Sequence, residues 1–342
     1  YINVYISTTG ELHMRRIIFS RHGLRYPFHA EEKWDTLFNK KIVSWNFDKS
    51  LSAHLSEKGA MIELAFGQFL KKYLNVTKET TLKVIANSTS RTFETAQLLS
   101  LGLKPASDIN INCLDKSFMK DTPDFNVSHK EGSSIDINLI NKYDKKAEKE
   151  GVFKKINELF NLDANCRYNK DEYWSIFTDG WFKTKGRLFY SSSFSDILQL
   201  KYYFGHNYDE IFKSDNFVND LKIMLKSKDY VLDLLSGDKE KIINSDHSIY
   251  KLIKKEFKNN DDITLIVGHD TNIASIFAAL ELNMPEHGQI EKYPIGSKLI
   301  FTINDDESFD LEYLFYTHED IRNMNLDMPM IVKIGKNLRF KY

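Results

Sequence analysis

The chain has 342 residues, with 47 lysines and arginines against 48 aspartates and glutamates, for a formal net charge of −1. A chain of this length can bury a large core and form two lobes. The charge balance gives no global signal for nucleic acid, and no apolar run approaches the roughly 20 residues that span a bilayer. Two cysteines, Cys113 and Cys166, leave open one disulfide or two free thiols. The first residue is Tyr1 rather than Met, consistent with a removed signal peptide or a shortened chain. Sequons at Asn75, Asn87 and Asn126 matter only on a eukaryotic secretory route.

In chain order, RRIIFS (15–20) reads as a strand and SEKGAMIELAFGQFLKKYL (56–74) as a helix with Ser56 at its N-cap. TLKVIANS (81–88) is a second strand, Ser90 caps a helix through RTFETAQLLSL, and INCL (111–114) is a third, short strand. Such alternation predicts a parallel sheet covered by helices. Between about 121 and 255 the pattern changes. Amphipathic helices are predicted over 136–160, 194–204, 217–235 and 247–258, and strand patterns are scarce. Alternation then returns, with a buried strand DITLIVGH (262–269), a helix over 271–282, and a hairpin of KLIFTIN (298–304) and DLEYLFYT (310–317). The fold class expected is therefore α/β, a mostly parallel sheet flanked by helices with an inserted, mainly helical cap. The core unit is placed at 11–120 and 256–342, and the cap at 121–255. There is no internal repeat.

Three polar clusters each follow a predicted strand: RHGLR after IIFS, NSTSR after LKVIA, and HD after TLIVG. Open α/β sheets bind ligands outside the carboxyl ends of their strands, so the clusters are expected to converge. The pocket would hold Arg21, Arg25 and Arg91 with His22 and His269. Three guanidiniums facing one point require an anion between them, and their planar forks fit phosphate oxygens. Helix N-termini beside Arg91 and His269 add favourable dipoles. A neutral His22 imidazole has a lone pair to attack phosphorus. Gly23 is expected to remove a Cβ where substrate approaches, and Pro27 to stiffen the exit of the loop.

Arg21-His22-Gly23-Leu24-Arg25-Tyr26-Pro27 resembles the R-H-G-x-R-x-P signature of the histidine acid phosphatases, and His269-Asp270 resembles their later H-D pair. Asn87 to Thr92 is similar to the segment that carries the family's third phosphate-binding arginine. GHDTNIASIFAALE (268–281), PIGSKLIF (294–301), LKYYFGH (200–206) and TPDFN (122–126) resemble the bacterial glucose-1-phosphatase branch, close to the bacterial phytases. The likeness runs from about residue 13 to about 330, on a phosphoglycerate-mutase-like core.

The resemblance implies that His22 is the nucleophile and that Arg21, Arg25, Arg91 and His269 hold the phosphoryl oxygens. Asp270 would protonate the leaving alkoxide, which it can do only while protonated, so the optimum is expected to be acidic. It would also cap the following helix. No metal or cofactor is called for, since the arginines supply the positive charge. His54, His129 and His206 show no metal-ligand spacing. The partner is a small-molecule phosphate ester such as glucose 1-phosphate or an inositol phosphate, in a periplasmic or secreted enzyme with no membrane span. The branch carries an acidic residue where this chain has Phe204, and Asp124 is the candidate to replace it. An aromatic at Phe204 could stack on a sugar or inositol ring, but Tyr202, Tyr203 and Phe204 all read first as core. Two other readings remain: a phosphotransferase like the phosphoglycerate mutases, and a phospholigand-binding protein without turnover.

Overall fold

The computed structural model describes residues 14–28, 31–42, 44, 47–120 and 122–340. Residues 11–13, where the expected core unit begins, and residue 121, where the expected cap begins, lie outside the described residues.

The apolar run after Arg15 forms β1 (Arg16–Arg21). It is followed by β2 (Leu82–Ala86), β3 (Ile111–Asn112), β4 (Trp174–Thr178), β5 (Trp181–Lys185), β6 (Ile263–Gly268), β7 (Lys298–Ile303), β8 (Phe309–Phe315) and β9 (Met330–Leu338). Among the described residues, seven strands make one sheet in the order β3-β2-β6-β1-β7-β8-β9. β3, β2, β6 and β1 run parallel, and β7, β8 and β9 each run antiparallel to the strand before them in the sheet. The expected parallel, helix-flanked sheet is present, extended at one edge by the expected hairpin and by β9.

β6 lies between β1 and β2, so that Ile266 faces Phe19 on one side and Ile85 on the other. All six β6 residues are buried, as a strand covered on both faces requires. Alternation along β1 sends Ile17 and Phe19 into one apolar cluster with Phe277, and Ile18 into a second with Phe66. Helix Glu57–Tyr73 begins where the Ser56 hydroxyl accepts from the Gly59 amide at 3.0 Å. The next helix, Ser90–Leu103, has Thr89 at its N-cap rather than Ser90, and the Thr89 hydroxyl bonds to that of Thr92 at 2.7 Å.

The stretch from 121 to 255 holds mainly helices, with two departures from expectation. The helix predicted over 136–160 is two, Ile137–Lys149 and Val152–Leu159, broken at Glu150 and Gly151. Ahead of the long helix Arg187–Tyr203, β4 and β5 pair as an antiparallel hairpin. Its turn is Asp179-Gly180, with φ of 54° and 80°, the left-handed pair that a two-residue turn between twisted strands demands. Cys113 and Cys166 are both free thiols. Asn87 is 1% exposed, which closes that sequon to modification.

Candidate active site

The carboxyl ends of β1, β2 and β6 meet at the floor of a cleft of about 630 Å³. All six expected residues line it: Arg21, His22, Arg25, Arg91, His269 and Asp270. Arg21 is the last residue of β1, and parallel pairing sets it opposite Gly268, one residue before His269. The loop after β1 is anchored by the Arg25–Leu55 bridge and by the His22 amide, which donates to the Gly268 carbonyl at 2.9 Å.

His22 is 5% exposed, and its Nδ1 lies 2.9 Å from the Gly23 carbonyl. A carbonyl can only accept, so Nδ1 carries the proton and Nε2 keeps the lone pair. Burial, followed by the charges of Arg91, His269 and the other arginines, holds His22 well below the ordinary imidazole value of 6.5. The ring is therefore neutral and nucleophilic.

Asn87 fixes the second imidazole. Its side-chain oxygen accepts from the Ser88 and Thr122 amides, which points its NH₂ at His269 Nε2, 2.8 Å away. Nε2 is then the acceptor and Nδ1 the donor, and Nδ1 lies 3.4 Å from an Arg91 nitrogen. Two donors at this distance converge on one point, a geometry in which an anionic oxygen could accept from both.

Arg21 pairs with Asp270 at 3.0 Å and Glu291 at 2.8 Å, and Arg25 pairs with Asp196 at 2.7 Å. Lys228 lies 2.8 Å from Asp196, 3.3 Å from Glu291 and 3.7 Å from Asp270. Burial opposes ionisation of Asp270, but Arg21 and Lys228 outweigh it and hold the carboxylate below its usual range. Asp196 and Glu291 are held ionised in the same way. Asp196 and Glu291 in turn raise Lys228 against the cost of its burial. The guanidiniums of Arg21 and Arg25 already have carboxylate partners, so mutual repulsion does not by itself demand an anion. Among the described residues, the cations Arg21, Arg25, Arg91 and Lys228 gather here with the carboxylates of Asp196, Asp270 and Glu291.

Other expectations are corrected. A Cβ on Gly23 would lie 2.8 Å from Glu63 and 2.9 Å from Leu55, so this glycine serves packing against the protein rather than approach of substrate. Glu63 forms a fully buried pair with Lys298 at 2.7 Å beneath the His22 loop. Asp124 pairs with His247 at 3.0 Å and is not among the cleft residues, so it does not replace a carboxylate there. Phe204 stacks on Tyr26 at 5.6 Å, also away from the cleft lining. Tyr202 and Tyr203 are each 1% exposed, and the Tyr203 hydroxyl donates to Glu291 at 2.9 Å. Asp270 is the first residue of helix Asp270–Leu280 and accepts from the Thr271 amide at 3.0 Å, with His269 at the cap position.

Sequence reasoning missed Asp196, Lys228 and Glu291. A signal for Asp196 was present: Ser192, Asp196, Gln199 and Tyr203 recur at helical spacing on a largely apolar helix, a polar stripe that needs polar company. No local pattern marks Lys228 or Glu291. Among the described residues, no group of three metal-ligating side chains is placed to hold an ion, and no helix is long and apolar enough to cross a membrane.

No family model matches the chain. Glucose-1-phosphatase of Providencia rettgeri is 23% identical over 92% of this chain and 83% of its own length. Glucose-1-phosphatase of Salmonella typhimurium is 24% identical over 90% and 82%. Among solved structures, the phytase of Citrobacter braakii covers 93% of this chain and 90% of its own, with a TM-score of 0.74 at 18% identity. A Hafnia alvei phytase in complex with myo-inositol hexakis sulphate covers 94% and 90%, with a TM-score of 0.75 at 15% identity. The chain is similar over most of its length to these glucose-1-phosphatases and shares the fold of these phytases.

Proposed function

We propose that this protein is a metal-independent acid phosphatase that hydrolyses small phosphate monoesters through a phosphohistidine on His22. The observation that carries this is the His22 tautomer. The Nδ1–H bond to the Gly23 carbonyl leaves Nε2 as a lone pair inside the arginine cluster.

Arg21, Arg25, Arg91 and His269 hold the phosphoryl oxygens. His22 Nε2 attacks phosphorus as the bond to the leaving oxygen breaks, and the leaving oxygen takes a proton through Asp270. Water then attacks the phosphohistidine, Asp270 accepts its proton, and inorganic phosphate leaves. The donors face the charge that develops on phosphorus, which is where electrostatic stabilisation counts most.

Asp270 is ionised before substrate arrives. Its catalytic proton must therefore come in with the ester. A phosphate monoester has a second pKa of about 6, so below that value the monoanion predominates and carries the proton. This route favours acid.

Glucose 1-phosphate is the first substrate to test, after the names of the relatives, with inositol hexakisphosphate beside it. Residues 121–255 would act as a cap over a core of 11–120 and 256–342. The periplasmic or secreted location implied by the resemblance belongs to the same proposal, and cell fractionation checks it. The primary test is phosphate release at about pH 5 and about pH 7.5 with EDTA present. Turnover is expected in acid, unaffected by EDTA, and His22→Ala should lose it by on the order of 10⁵-fold. A folded His22→Ala variant with a tenth of the activity would overturn the phosphohistidine. Loss of turnover in EDTA would overturn metal independence.

A further inference from the structure

The outer part of the cleft differs chemically from its floor. Phe28, directly after the signature loop, has its ring 4.6 Å from the Arg25 guanidinium carbon and 5.6 Å from that of Arg91. It stands at the edge of the phosphoryl site and is 55% exposed. Trp181, at the start of β5, also lines the cleft and is 50% exposed. Behind them the wall continues with Phe182, Phe189, Leu232 and Leu235, drawn from the hairpin and from the helices that follow. Beyond the ionised groups of the floor, Lys33 is the one further charged residue among the described residues of the lining.

Two half-exposed aromatic rings on one cleft keep apolar surface in water that a ligand can cover. An ester with many phosphates would bring each additional charge against this wall with a single lysine to meet them all. Anions desolvated without a partner are strongly disfavoured. A substrate with one phosphate and a flat apolar ring close to it meets charge at the floor and aromatic surface on the wall.

We infer that Phe28 and Trp181 form a leaving-group subsite, and that the preferred substrates are monophosphates of alcohols carrying an aromatic ring. This rests on the phosphatase reading above and adds the substrate class. Trp181 directly follows the Asp179-Gly180 turn and pairs with Thr178 across the hairpin, so a hydrogen-bonded hairpin rather than an irregular loop presents the ring. The volume of about 630 Å³ suits a small molecule of this kind.

The test compares 2-phenylethyl phosphate with ethyl phosphate, whose leaving alcohols are similar in acidity, so that chemistry does not mask binding. The phenyl ring is expected to raise kcat/KM by on the order of tenfold or more. Trp181→Ala and Phe28→Ala should each lower kcat/KM for the phenylethyl ester several-fold more than for ethyl phosphate. Inositol hexakisphosphate should rank last of the three. Equal rates for the two monoesters, equal losses in the variants, or preference for the hexakisphosphate would each overturn the subsite. Failure to hydrolyse ethyl phosphate, 2-phenylethyl phosphate and glucose 1-phosphate alike would instead overturn the phosphatase reading on which it stands.

Discussion

The floor of the cleft is charged, largely buried and drawn mostly from strand ends, whereas the outer wall is aromatic, half-exposed at its rim and drawn from helices and a hairpin. At the floor Arg21, Arg25 and Lys228 pair with Asp196, Asp270 and Glu291 within hydrogen-bond range, so these side chains hold one another in place. The wall offers mainly shape and apolar surface. The difference teaches how the proposed rate and selectivity would divide between separate parts of the chain: the floor would act on the phosphoryl group, and the wall would sort what is attached to it. Lys228 and Asp196 cross this division, because they come from helices Phe217–Ser236 and Arg187–Tyr203 and yet belong electrically to the floor.

Three experiments press on the contrast. The largest effect is expected from Arg91→Ala, which removes a donor aimed at the phosphoryl site. It should lower kcat by about 10²- to 10³-fold, by a similar factor for every monoester. A loss that depended strongly on the leaving group would blur floor into wall.

Lys228→Met comes next. It leaves Asp196 and Glu291 buried with one cation fewer, which should cost about 3 kcal/mol of stability. Lys228 also holds Asp270 ionised, together with Arg21 and against the repulsion of Asp196. Removing it raises the Asp270 pKa, so the pH–rate profile should move to higher pH. Denaturant unfolding and the profile check the two effects, and an unmoved profile would assign Lys228 to the wall.

The smallest effect is one of pH on the free protein. His22 and His269 are neutral when folded and held well below 6.5, whereas in the unfolded chain they protonate near that value. Below about pH 6.5 the unfolded state thus binds more protons, and stability falls as pH drops. The depressed carboxylates Asp270 and Glu291 act with the same sign nearer pH 4. The thermal midpoint should decline by about 2 °C or more between pH 7 and pH 5. A flat midpoint would mean that the floor does not titrate as described. Substitutions confined to the wall, such as Trp181→Ala, should leave this slope unchanged.

The floor was readable in the sequence because its residues follow strands. An apolar run ending in Arg21-His22, and another ending in His269-Asp270, place side chains at sheet ends by local rules alone. The sheet and the helices around it were visible for the same reason, since buried strands and amphipathic helices have their own periods. What could not be read was company. Nothing near Lys228 or Glu291 in the chain announces that they share carboxylates and cations with Arg21, 270 residues from Glu291. The hairpin was overlooked despite its Asp-Gly turn, because its flanks are short and mixed in polarity. Gly23 was assigned the right property for the wrong neighbour, since only the fold reveals Glu63 behind it.

The position of β6 has a consequence for how the molecule is made. β1 and β2 leave the ribosome early but do not pair with each other, because β6 is the strand that joins them. Translation from residue 86 to residue 268 takes roughly ten to forty seconds at ordinary rates. Through that interval the nascent N-terminal region carries apolar strand edges with no partner, the state in which chains aggregate or recruit chaperones. Chain release before β6 would cost more than Asp270. It would leave the first two strands without the staple that makes them one sheet.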